Sequence, residues 1–141
     1  MTPQQFDTLM QTSFRAAWVA GGLNPAAINW PNLDFEPATF PLWCRFQLLN
    51  VPVPTRELGG GDQFFVARGG LIAIEIYVRA GQGKTTINAA AETVLKWLET
   101  FGIGEVRFQD PGLLDVGVRA GWFQINAQAG FEYDSVRDLV P

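Results

Sequence analysis

The chain predicts an α/β (α+β) domain in which two amphipathic helices cover one face of a sheet made of long, alternating strands. Three observations carry that expectation. Apolar residues recur at helical spacing over 3–20 and again over 85–101. Segments 42–49, 71–78 and 122–133 instead alternate at the strand period, and glycines and prolines punctuate the chain between them. A length of 141 residues is enough for one core, so 1–141 is read as one domain.

The first helix is announced by Thr2, Pro3 and Gln5, a capping box with proline at the first helical position. Phe6, Leu9, Met10, Phe14, Ala17 and Trp18 form its apolar stripe, and Gly21-Gly22 ends it. Prolines at 25, 31, 37 and 41 then break regular structure, with room for a short edge strand at 28–30. In the strand 42–49, Leu42, Cys44, Phe46 and Leu48 share one face, and Trp43, Arg45 and Gln47 the other. Residues 50–70 read as a long loop or hairpin arm with five glycines and an adjacent Phe64-Phe65 pair. Neighbouring residues of a strand point to opposite faces, so a lone copy of the chain easily buries only one of the two phenylalanines. The plain reading is a floppy hairpin tip; the sharper one makes Arg56, Glu57, Asp62, Gln63, Phe64 and Phe65 the candidate docking arm.

Strand 71–78 turns Ile72, Ile74, Ile76 and Val78 one way and Glu75 and Tyr77 the other. Thr85 or Thr86 is expected to cap the second helix, whose buried stripe is Ile87, Ala90, Ala91, Val94, Leu95, Leu98 and Phe101, with Gly102 ending it. A short strand at 105–109, a turn at Asp110-Pro111-Gly112 and a continuation at 116–118 follow. In the last strand Phe123, Ile125, Ala127, Ala129, Phe131 and Tyr133 oppose Trp122, Gln124, Asn126, Gln128 and Glu132, and the tail 135–141 is expected to be loose. A sheet face of Gln and Asn suits a lined cavity or a wet protein interface better than a free surface, where Lys and Glu are expected. Tyr77, Trp122 and Gln124 are accordingly the candidate subunit interface.

Composition narrows the function. Only 17% of the residues are charged, against about 25% in an ordinary domain, while 48% are hydrophobic, with five Trp and eleven Phe. Self-association is the simplest way to cover such a surface. The net charge is -4 and the ten basic residues are scattered, which argues against a nucleic-acid-binding face. The chain has one cysteine and no histidine, so neither an intrachain disulfide nor a metal site of the usual ligands is expected. No apolar run approaches the ~18 residues of a membrane span, and the N-terminus lacks a signal-peptide pattern.

Gly83-Lys84-Thr85 after a strand and before a helix raises a phosphate-binding loop as an alternative. The first glycine of that motif falls at Val78, inside the strand, and no later strand ends in the aspartate that would hold magnesium. Gly81 and Gly83 are read as a plain turn, Lys84 as solvated and Thr85 as a cap. Without histidine, and with no spacing that pairs two carboxylates, no catalytic residue, cofactor or enzymatic activity is expected.

Taken in order, FRAAWVA at 14–20, Trp30-Pro31, 35–37, GGGDQFF at 59–65, LIAIEIYVRAGQGKTT at 71–86, EVRFQDP at 105–111 and GWFQINAQAGFEYDS at 121–135 resemble the tail terminator (tail completion) proteins of long-tailed bacteriophages. That family's strand VxVFVPxGxG corresponds to 74–83, and its terminal strand GWYQVNVxVPFxY to 121–133. Ala127 holds a usual apolar position of that strand, and Gly130 stands where proline is often found. The resemblance spans nearly the whole chain and implies a mixed, mostly antiparallel sheet with two main helices on one side and a long hairpin arm. It also implies a homohexameric ring at the head-proximal end of the virion tail, assembled in the host cytoplasm. Such a ring caps the tail tube protein, ends its polymerisation and presents a docking surface to head-completion (neck) proteins. Genome DNA would pass through its lumen without specific contact, and no membrane is involved. Another neck or head-tail joining component is the alternative within the same class.

Overall fold

Helix α1 (Pro3–Ala20) begins where Thr2 and Gln5 close the expected capping box: the Thr2 hydroxyl accepts from the Gln5 N–H at 3.1 Å, and the Gln5 side-chain oxygen accepts from the Thr2 N–H at 2.8 Å. Phe6, Met10, Phe14 and Trp18, one per turn, are buried. At its end the Trp18 indole N–H donates to the Asn24 carbonyl at 2.8 Å, and Gly22 takes φ 80°, a conformation glycine reaches without penalty. The computed structural model describes residues 1–51, 56–58, 63–102 and 105–138 and, of 56–58, 63–65 and 136–138, the backbone alone.

After a short 3-10 turn come strands β1 (Ile28–Asn29), β2 (Leu42–Val51), β3 (Arg56–Leu58) and β4 (Gln63–Arg79), then α2 (Thr85–Thr100), β5 (Arg107–Arg119) and β6 (Trp122–Asp138). The sheet runs β1-β2-β4-β6-β5, and β3 folds back on β4 off this path. Among the described strands only β1 and β2 are parallel, so the sheet is mixed and mostly antiparallel, as the resemblance implies. Its spine is the β4–β6 ribbon, paired without a break from Gln63 opposite Asp138 to Arg79 opposite Trp122.

One face of that spine takes both helices. Phe6 packs on Tyr133 and Phe131 with ring centroids 4.1 and 4.8 Å apart, and Phe14 on Phe46 and Trp97 at 5.3 and 5.4 Å. The helices are tied together where the Trp97 indole N–H donates to Ser13 Oγ at 2.9 Å. Burying a large apolar side chain contributes about 1.5–3 kcal/mol. Phe14, Phe46, Ile74, Ile76 and Ile125 therefore make this layer the main source of stability.

Several local expectations are corrected. The strand read as 71–78 starts at Gln63 and carries Gly69 and Gly70 within it. Gly70 is there because a Cβ would lie 1.9 Å from the Leu49 carbonyl oxygen, so the two strands meet only with glycine at that point. The tail expected to be loose is β6 as far as Asp138, paired to 63–66; residues 139–141 lie outside the described residues.

The turn at Asp110-Pro111-Gly112 is absorbed into β5 as a bulge, with Asp110 at φ 51°. The real reversal comes at Ala120-Gly121, both with positive φ, as a two-residue hairpin requires. Helix α2 starts after Lys84 without a side-chain cap, so neither threonine plays that part. On α2 Trp97 is buried while Leu95 is only half-buried, because α1 and β5 meet that side of the helix.

Candidate interaction face

The sheet face without helices is ordered by three cross-strand rows running from β2 through β4 to β6: Trp43, Tyr77 and Gln124; Arg45, Glu75 and Asn126; Gln47, Ala73 and Gln128. Alternation along each strand sends these residues away from the core. In the first row Trp43 is 5% exposed, covered by Tyr77, Trp122 and Phe35. Alternation alone placed it on the polar face. The aromatic residues of the proline-rich segment, Phe35 and Phe40 stacked 5.5 Å apart, explain why it is nonetheless covered.

The second row is an ionic and amide network. Glu75 receives Arg45 Nη1 at 3.4 Å on one oxygen and Gln124 Nε2 at 3.2 Å on the other, while Gln124 also donates to Asn126 Oδ1 at 2.7 Å. Burial, followed by the neighbouring Glu75 carboxylate, pushes the Tyr77 phenol above its ordinary range. Arg79 lies over the Trp122 ring at 4.2 Å. The residues of the first two rows and Trp122 line an open cup of about 510 Å³ that also takes in Val116 and Arg119. The Trp43 indole N–H is buried without an acceptor among the described residues.

The candidate interface residues Tyr77, Trp122 and Gln124 thus converge on one cup. Gln124, however, is 6% exposed and is committed to Glu75, so Tyr77 and Trp122 offer the reachable surface. Trp43 was missed as part of this site: alternation put it on the same face as Arg45 and Gln47, and only the β2–β4 register sets it beside Tyr77.

Of the candidate arm, the backbones of Arg56 and Glu57 pair with Val66 and Phe65, and those of Phe64 and Gln63 with Leu58 and Asp138. The arm is therefore a hairpin extending the β4–β6 ribbon. Asp62 lies outside the described residues, as do the side chains of the other five.

The remaining chemistry-bearing groups are placed as follows. Cys44 is fully buried and burial pushes its thiol up. Lys84, expected to be solvated, pairs with Asp115 at 2.8 Å, although both side chains are more than half exposed. The loop before α2 places Gly81 and Gly83 at φ 87° and 77°, after a strand whose neighbours are both antiparallel. Among the described residues no three histidine, cysteine or acidic side chains are grouped to hold a metal, and no helix is long and apolar enough to cross a membrane.

No protein-family model matches this chain, and no curated protein does. Nineteen solved chains match it in structure. One, which carries no functional name, aligns at a TM-score of 0.52 and 14% identity over 96% of this chain and 97% of its own length. At that identity the likeness is one of fold: an α+β chain with two helices on a mixed sheet, matched end to end.

Proposed function

We propose that this chain is a structural protein of a phage tail, a tail terminator that caps the tail tube as a homohexameric ring, ends tube polymerisation and offers the docking surface for neck proteins. The observation that carries this reading is the helix-free sheet face. It bears an aromatic cluster of Trp43, Tyr77 and Trp122 beside Gln124, Asn126 and Gln128, and its central charges, Arg45 and Glu75, are paired with each other. A closed ring satisfies such surfaces in every copy. The net charge of -4 suits a conduit through which DNA passes without being held. In this reading the hairpin arm, with Arg56, Glu57, Asp62, Gln63, Phe64 and Phe65, meets the tube or the neck.

The test is polymerisation of the cognate tube protein with and without this chain, followed by negative-stain microscopy. Six-fold rings on the ends of shortened tubes are expected; tubes of unchanged length overturn the reading. Deleting 59–61 is expected to lengthen tails, and normal tails would remove the arm from the docking role. Trp122→Ala is expected to weaken ring assembly in light scattering, and assembly equal to wild type would remove the cup from the interface. Rings of a different symmetry found at the head would favour a head-tail joining component instead.

A further inference from the structure

We propose that copies of this chain join head to tail through the two edges of the sheet, the apolar strip of β5 on one copy seating along β2 on the next. This rests on the self-assembly in the reading above and adds to the open face a contact at the sheet edges.

At one edge, β5 pairs with β6 on one side and with no strand on the other among the described residues. Along it Leu113, Leu114, Val116 and Val118 are 43%, 51%, 38% and 65% exposed. A long edge with exposed aliphatic side chains is a template for pairing unless something covers it. Its two bulges re-aim the side chains without removing them. At the opposite edge, β1 pairs with only Cys44 and Arg45, so β2 beyond Arg45 has no strand on its outer side among the described residues. Leu33, Leu49 and Val51 are more than half exposed there. A groove of about 260 Å³ lined by Trp30, Leu33, Arg45, Phe46 and Gln47 opens beside Leu33, with room for an aliphatic side chain.

One charge pairing is open between the two edges, at Arg119. Asp34 and Glu36 are exposed on the segment beside β2. On the β5 side Arg107 is paired with Glu132 and Lys84 with Asp115, whereas Arg119 is exposed with no ion-pair partner among the described residues. Asp110 lies near the other end of β5. Pairing β5 with β5 would leave the β2 groove uncovered in every copy. Pairing β5 with β2 covers both edges of each copy, and a heterologous contact of that kind makes a ring where its rotation closes.

The experiment uses two full-length variants, one blocked at each edge: Leu114→Lys with Val118→Lys, and Leu33→Lys with Leu49→Lys. Folding is checked by circular dichroism and mass is read by light scattering. Wild type is expected to form multi-subunit species and each variant alone to stay monomeric. An equimolar mixture is expected to double in mass to a dimer and stop there, since each variant keeps one working edge. A mixture that remains monomeric, a variant that assembles like wild type, or a wild type that is monomeric at every concentration overturns the proposal. If a double variant does not fold, Leu114→Lys and Leu49→Lys alone give the same readout. Edge pairing with tubes of unchanged length would leave this inference standing and remove tube capping. Capping by the edge variants would do the reverse.

Discussion

Trp43 lies against Tyr77 with ring centroids 4.2 Å apart and planes 14° from parallel, on the sheet face that carries no helix. The two sit directly opposite one another in the β2–β4 register. Stacking across a strand pair adds to the burial of both rings, so this face has a small core of its own. Trp122, set at 90° to Trp43 with centroids 5.7 Å apart, carries that cluster on to β6.

Trp43→Ala is therefore expected to destabilise the fold by about 3–5 kcal/mol, as for a core aromatic, although the residue lies outside the helix-covered layer. Urea denaturation measures it. A loss below about 1 kcal/mol, the scale of a surface change, would show that the cluster contributes little to the single chain.

Stability is also expected to fall on the alkaline side. The Tyr77 phenol is held above its ordinary value, first by burial and then by Glu75, so the folded chain keeps its proton longer than the unfolded chain does. The resulting contribution is fully present below the unfolded pKa of about 10 and is lost as pH rises through the folded one. Thermal melts across this range are expected to show a decline that Tyr77→Phe reduces; an identical decline in the variant would assign it to other groups.

Gly70→Ala is expected to be among the most damaging small substitutions. Its Cβ would sit 1.9 Å from the Leu49 carbonyl oxygen, a backbone atom that cannot move aside without parting β2 from β4. At Gly130 the nearest atoms are 3.7 Å away, an ordinary contact. A loss of at least about 1–3 kcal/mol at Gly70 with little change at Gly130, compared by denaturation, is the expected outcome.

Lys84→Ala is expected to change stability by about 0–1 kcal/mol, since its bond to Asp115 is solvent-exposed. Magnesium and ATP are expected to leave the melting temperature of wild type where it is. A rise that the variant abolishes would restore the phosphate-loop reading of Gly83-Lys84-Thr85, because a ligand bound only to the folded state stabilises it.

The sequence by itself determined the layers. The stripe Phe6, Met10, Phe14 and Trp18, the Thr2 and Gln5 cap, and the alternation of Ile72, Ile74 and Ile76 are local patterns whose period dictates both element type and buried face. The grouping of Tyr77 with Gln124 and Trp122 was also within reach, since alternation sends all three to one side.

Tertiary structure alone decided the rest, because it depends on which strand lies beside which. The glycines at 69 and 70 looked like a loop until β2 and β6 enclosed them on either side, and the turn residues at 110–112 became a bulge once β6 supplied a partner ladder. Trp43 is covered because Phe35, Tyr77 and Trp122, far apart in sequence, all meet it. Strand order and register arise from long-range contacts that no local period encodes.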